Sequence, residues 1–345
     1  MADSEDREDS PEGETVPADA GAADGADGGG GSTPGPWWRR RWVLVTAAGV
    51  VVAGAVAAAV AFTGGGQKRA INHPASTTTT TAPPPGPACP LTGTPSSGSV
   101  PQRPALAVKV DNYPDARPQS GLDKADIVFE EPVEGGITRY VAVFQCQQPT
   151  LVGPIRSARF PDVAILDELS KPIFVHVGGI NPILALINQA NAYNEDLFYN
   201  GSLAIHPPGR YAPYDTYINS ADVWKQHASD TSPPQPIFTY SSAPATGTAT
   251  ASVHIPFSST SDETWTWNSP SKRWLLAYSG VPDKLQGGGR VSAANVVVLT
   301  VQVAYGPWVE NSEGGLEVRV DPTSGGTRTN IWQGTADLLV VPELG

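Results

Sequence analysis

Residues Val43 to Phe62, VLVTAAGVVVAGAVAAAVAF, run for twenty positions without a charge or a proline. At a rise of about 1.5 Å per residue, a helix of that length spans about 30 Å, the hydrocarbon thickness of a bilayer. Trp37, Trp38 and Trp42 stand where an aromatic belt forms, and Arg39, Arg40 and Arg41 lie on the amino-terminal side. Positive charge is retained in the cytoplasm. Residues 37–62 are therefore expected to form a single-pass transmembrane helix in the plasma membrane, with the N-terminus cytoplasmic and the rest of the chain extracytoplasmic. A signal peptide cleaved after one of the small residues is the alternative, whereas a buried core helix fits the length and the flanks poorly. No cysteine closes the apolar run, so a lipid anchor lacks its acceptor there.

The flanking segments are not core-forming. Residues 1–36 carry ten acidic side chains against Arg7 alone, spaced by Gly, Ala, Ser and Pro. Such a segment buries too little apolar surface to offset chain entropy and is expected to be a disordered cytoplasmic tail. Of the formal charge of −12, the tail holds −9 and the arginine triplet +3, which leaves −6 beyond Phe62. A mildly acidic ectodomain argues against nucleic acid as a partner. Residues 63–100 include STTTTTAPPPGP and read as a Thr/Pro/Gly linker that holds the remainder away from the membrane.

Cys89 and Cys146 are the two cysteines, and both lie beyond the apolar run. In an oxidising compartment such a pair is most simply a disulfide. Neither has a His or a second Cys at ligand spacing, so no metal is expected, and no cofactor motif is present.

Residues 101–229 read as a mixed α/β domain. Leu106–Val110, Asp126–Glu130, Thr138–Cys146 and Pro172–Val177 are strand-like, and Gly135-Gly136 sits where a hairpin turn or bulge would lie. Between the third and fourth strands, Gly153-Pro154 breaks the chain. Ser157 is then expected to cap a helix whose apolar positions are Val163, Leu166 and Leu169, with Arg156 and Arg159 flanking that cap. Guanidinium forks beside a helix start suit a carboxylate or a phosphate. The competing reading is that these arginines pair with Asp111, Glu130, Glu131 or Glu134 within the fold. His176, inside an apolar strand, reads as a hydrogen-bonded structural histidine.

The stretch DNYPDARPQSGLDKADIVFEEPVEGGITRYVAVFQ, Asp111 to Gln145, followed by GPIRSAR, Gly153 to Arg159, resembles the YerB-like family of bacterial extracytoplasmic proteins, often lipoproteins, whose two-part domain has no known function. The resemblance runs from about Pro104 to Trp224 and more weakly to Val303. It implies an envelope location and an α+β amino-terminal part joined to a β-rich carboxy-terminal part, with no reaction or ligand. Two positions depart from the family: Pro213-Tyr214-Asp215 stands where its members carry Pro-His-Asn, and an apolar span replaces the lipidated cysteine.

Beyond a Pro/Ser/Thr-rich connector at 230–251, residues 252–345 read as a β-rich domain with strands at Ser252–Phe257, Thr264–Trp267, Arg273–Tyr278 and Asn295–Val303. The pattern loses regularity after Pro307, and an altered or truncated end with an unpaired strand edge is expected. The fold class is thus α+β. The expected function is binding of an anionic or peptidoglycan-related ligand, or of an envelope protein, through Arg117, Arg139, Arg156, Ser157, Arg159 and Arg210, with Asp111, Asn112, Glu130 and Glu134 beside them. The rival is a cell-wall hydrolase or transferase that uses Glu130 or Glu134 as acid or base.

Overall fold

The computed structural model describes residues 86–241, 248–310, 315–321, 331–332 and 336–342. The acidic tail, the candidate span at 37–62 and the linker up to residue 85 lie outside the described residues. Among the described residues, no helix is long and apolar enough to cross a membrane.

The first half of the described chain supplies β1 (Leu106–Asp111), β2 (Ile127–Pro132), β3 (Thr138–Phe144), α1 (Asp162–Glu168), β4 (Ile173–His176), α2 (Asn181–Ile187), β5 (Tyr193–Asp196) and α3 (Ser220–Gln226). Every residue of β1, β3 and β4 is buried, which explains their nearly continuous apolar runs: both faces of this sheet are covered. On one face, Ala107, Phe129, Val141 and Val143 pack against Ile165, Leu166 and Leu169 of the α1 region and Ile183 and Ile187 of α2. On the other, Val108, Val110, Tyr140 and Ala142 pack with Val223 and Trp224 of α3.

The second half supplies β6 (Tyr240–Ser241), β7 (Ser252–Pro256), β8 (Asp262–Asn268), β9 (Arg273–Tyr278), β10 (Val281–Pro282), β11 (Ser292–Ala293), β12 (Asn295–Val309), β13 (Leu316–Asp321), β14 (Ile331–Trp332) and β15 (Ala336–Pro342). Strands β7 to β11 form a small antiparallel sheet around Ile255, Trp265, Leu276 and Tyr278. Among the described residues the main sheet has eight strands in the order β13-β12-β15-β2-β3-β1-β4-β5. Its β15 lies between β12 and β2, parallel to both, so strands from the two halves of the chain share one hydrogen-bonded sheet. The fold is α+β with a β-rich carboxy-terminal half.

One local expectation needs correcting. Ser157 does not cap α1, which starts five residues later at Asp162. Phe160 precedes Pro161, a position that disfavours helical geometry, and Pro161 itself has φ −63°, ready for a helix start. Asn219 caps α3 by accepting from the Ala221 N–H at 2.9 Å. The disulfide between Cys89 and Cys146 is present and fastens the segment before β1 to the chain just past β3.

Candidate functional site

Strands β1, β2, β4 and β5 all run the same way, with β3 antiparallel between β1 and β2. Their carboxyl ends, with the start of β3, therefore gather at one edge of the sheet, the usual position of ligand sites in such folds. Asp111, Asn112, Glu130, Glu134, Arg139, Arg156, Ser157 and Arg159, scattered over about fifty positions of sequence, converge there. The cause is strand register: Asp111 faces Arg139, and Arg139 faces Glu131, across three adjacent strands.

Strand alternation divides these residues between the two faces. On the α1 face, Lys109 is fully buried and bridges Glu131 and Asp162, with the Asp162 carboxylate at 2.7 Å. Burial and the Asp162 charge push the Glu131 carboxyl up to about 8 against the attraction of Lys109. Beside it, Arg159 forms a two-pronged pair with Glu134, its Nε 2.7 Å from Oε2. Arg159 also lies 3.4 Å from Glu310. Arg139 donates to the Ser157 carbonyl at 3.2 Å. Burial pushes the Glu134 carboxyl up, but the Arg159 hydrogen bonds and the Arg139 and Arg159 charges outweigh it and hold the group near 2. Burial and the Arg159 charge lower Arg139 to about 10.

Arg139 and Arg159, expected to face a ligand, are thus 3% and 5% exposed and engaged in ion pairs. Ser157 contributes its backbone carbonyl. Arg156 differs. Its Nε donates to Asp111 Oδ2 at 2.8 Å, its side chain is 28% exposed, and among the described residues its Nη groups have no partner. The fork therefore points two donors outward while Asp111, buried and bonded also to the Tyr113 N–H, fixes its direction. Tyr113 and Tyr214 lie beside it as nearly parallel rings, 6° apart in plane with centroids at 6.2 Å. The Asp111, Arg156 and Asp115 charges all act on the Tyr214 hydroxyl, which burial pushes upward.

On the opposite face, Glu130 accepts from Thr138 Oγ1 at 2.6 Å and from Asn112 Nδ2 at 3.1 Å. Asn112 Nδ2 also donates to the Tyr278 hydroxyl at 2.7 Å, and Tyr278 is hydrogen-bonded to Tyr140. Arg117 stacks 3.4 Å above the Tyr278 ring and donates to Asn112. Glu130 lines a cavity of about 30 Å³ between the two sheets. Arg210 lies apart from these groups and ties its loop to the Ala116 and Pro118 carbonyls. His176 is a structural histidine, held by the Gly178 carbonyl at 2.9 Å and Asn194 Oδ1 at 2.7 Å.

Sequence reasoning passed over Lys109, Glu131, Asp162, Tyr113, Tyr140 and Tyr278 as site residues. Lys109 carried a usable signal: a lysine inside the run Leu-Ala-Val-Lys-Val must be buried, and a buried ammonium needs carboxylates.

Comparison with known proteins agrees with this two-part arrangement. Residues 91–233 match the family model described as the N-terminal domain of a protein of unknown function (DUF3048), and residues 253–337 match its C-terminal domain. Over 139 residues the chain is 41% identical to "Putative lipoprotein YerB" of Bacillus subtilis (strain 168), an alignment that covers 38% of this chain and 41% of that protein. The crystal structure of YerB from Bacillus subtilis superposes with a TM-score of 0.62 at 24% identity, over 74% of this chain and 97% of that one. At that identity the superposition speaks for the fold. With both halves present in order on the shared sheet, the chain belongs to the DUF3048 family.

Proposed function

We propose that this protein is a membrane-tethered, extracytoplasmic component of the cell envelope that binds a carboxylate-bearing, peptidoglycan-related ligand at the Arg156 edge. The observation that carries the reading is the outward Arg156 fork, oriented by Asp111 and flanked by Tyr113 and Tyr214. Guanidinium donors suit a carboxylate, and tyrosine faces suit a sugar ring. The apolar run at 43–62 and the lipoprotein name of the Bacillus relative both support attachment at the outer membrane face. An envelope protein that presents a carboxylate is the alternative partner for the same edge.

The geometry gives the hydrolase reading little support. Glu134 is engaged by Arg159, and the cavity beside Glu130, about 30 Å³, has room for about two waters and not for a sugar.

Titration of the full-length chain with soluble muropeptides tests the reading. Arg156→Ala is expected to weaken binding about tenfold or more, the scale of one charged hydrogen-bond pair. Arg156→Lys is expected to restore only part of it, since a lysine lacks the fork. Equal affinity of the wild type and Arg156→Ala would dismiss this edge as the binding site.

A further inference from the structure

Two cations of the small sheet stand apart from the ion pairs of the main sheet. Arg273 of β9 donates from Nε to Ser292 Oγ at 2.7 Å and from Nη2 to the Ser292 carbonyl at 2.6 Å. Arg290, just before β11, donates from Nη2 to the Leu276 carbonyl at 2.7 Å. These bonds fix both side chains without neutralising them. Among the described residues neither guanidinium makes an ion pair, and Nη1 of each and Nε of Arg290 have no hydrogen-bond partner. The buried Asp283 carboxyl senses the Arg290 charge, but burial raises it, which weakens it as a counter-charge, and its Oδ2 has no partner either. Both arginines line one hollow of about 190 Å³, together with Leu122 and Asp123 from the first half of the chain. Asp123 is about half exposed and lies 3.6 Å from Lys124, so those two charges offset each other. The hollow therefore keeps two uncompensated positive charges in a chain that is acidic beyond Phe62.

The hollow adjoins a cleft of about 550 Å³, with which it shares Asp123 and Leu285. Direct bonds hold that cleft in one shape. The Gln286 N–H donates to the Gln119 carbonyl at 2.8 Å, and Ser120 Oγ donates to Gln286 Oε1 at 2.8 Å. Farther along the same boundary, the Ser258 and Thr260 hydroxyls donate to the Gly136 carbonyl. A site fixed in advance loses little ordering entropy when it binds. Its lining is largely polar, with Gln148, Thr150 and Lys124 on one side and Gln286 and the backbone of Gly287 and Gly288 on the other. A Cβ on Gly287 would meet nothing within 4 Å, so the lip is open to close approach.

We propose that Arg273 and Arg290 hold the phosphoryl group of a sugar or polyol phosphate, whose body lies in the adjoining cleft. A phosphate monoester carries a charge of about −1.5 to −2 near neutrality and three outer oxygens, and so matches two guanidiniums. A carboxylate, with one charge, is matched by a single fork such as that of Arg156. Amide, hydroxyl and backbone groups along the cleft suit ligand hydroxyls better than an acyl chain. The site uses none of the residues of the Arg156 edge and stands independently of the muropeptide reading.

Calorimetric titration of the full-length chain in detergent tests the site, with N-acetylglucosamine 1-phosphate, glycerol 3-phosphate, N-acetylglucosamine and inorganic phosphate as probes. At least one of the two organic phosphates is expected to bind about tenfold or more tightly than both the free sugar, which lacks the charge, and inorganic phosphate, which lacks the body. Arg273→Gln and Arg290→Gln are each expected to weaken that binding about tenfold, the scale of one charge-assisted hydrogen-bond pair. Both arginines also hold the small sheet together, so a variant that breaks no contact is needed beside them. Gly287→Asp places a negative charge at the open lip and is expected to weaken binding about threefold or more while the thermal denaturation midpoint stays unchanged. Organic phosphates that bind no better than inorganic phosphate or the free sugar would overturn the proposal. So would affinities unchanged from wild type in Arg273→Gln and Arg290→Gln, or in a normally folded Gly287→Asp.

Discussion

Glu130 and Glu131 are adjacent in β2, yet they serve separate networks on opposite faces of the sheet. Glu131 closes the Lys109 and Asp162 cluster against α1, whereas Glu130 accepts from Asn112, whose amide also donates to the Tyr278 hydroxyl of the small sheet. Strand pleating enforces the division, because consecutive side chains point to opposite faces. The same pleat sends Arg139 and Tyr140, facing them on β3, into the same two networks.

Lys109 is the cation at the centre of the first network, so its loss leaves the buried carboxyl groups of Asp162 and Glu131 without their ammonium. Lys109→Met is expected to destabilise the protein by about 3–5 kcal/mol, the scale seen when one partner of a buried pair is removed. Adding Glu131→Gln should recover little of that loss near neutrality, because the Glu131 carboxyl, raised to about 8, is already largely protonated there. Urea denaturation of the two variants measures both values.

The pH profiles of Glu131 and Glu134 should have opposite signs. Glu134 is held near 2, so its contribution is present above the usual 4.5 and is lost as pH falls towards 2. Glu131 is raised to about 8, so its contribution is present below 4.5 and is lost as pH rises through 8. Glu134→Gln should therefore destabilise most near neutrality and least in strong acid. Glu131→Gln should be relatively favourable at about pH 9 and relatively costly in mild acid. Thermal denaturation across pH checks both slopes.

The Cys89–Cys146 bond closes a sequence separation of 57 residues. In the chain-entropy treatment such a loop is worth about 4 kcal/mol. Replacing both cysteines with serine is expected to lower stability by about that amount and to release Cys89 from its buried position, first visible as faster exchange at Leu91. An unchanged denaturation midpoint would show that the staple adds nothing to the fold.

The strands of the first half were legible because fully covered strands leave long apolar runs, and the carboxyl-edge residues were legible because strong local motifs marked them. Their engagement was not. Arg139, Arg156 and Arg159 belong to the same residue type within about twenty positions, and only register and the neighbouring Glu134 and Asp111 decide which fork stays outward. The contact with Tyr278 was illegible for a different reason: it lies 166 positions from Asn112, and no local pattern encodes a pairing across that distance. The start of α1 was misread because Ser157 offered plausible cap chemistry, while Pro161, four residues on, governed the backbone.

Gly153 opens the GPIRSAR stretch, and its position is set by backbone approach. It exchanges hydrogen bonds with Ser120, at 2.8 Å and 3.3 Å, while Thr216 and Tyr217 close over it. Its φ is +152°, and a Cβ there would lie 2.8 Å from Tyr217 Cδ1 and 2.9 Å from the Thr216 carbonyl oxygen. Backbone cannot yield as a flexible side chain would, and Tyr217 is itself fully buried. Gly153→Ala is therefore expected to cost about 1–3 kcal/mol, through displacement of the strand segment that carries Ile155 and Arg156. Because Arg156 takes its direction from that segment, the same variant should weaken ligand binding more than Arg210→Ala, whose side chain ties down a separate loop. Paired stability and muropeptide titrations on the two variants separate these effects: a Gly153→Ala protein that binds as well as Arg210→Ala would show that the edge tolerates the shift.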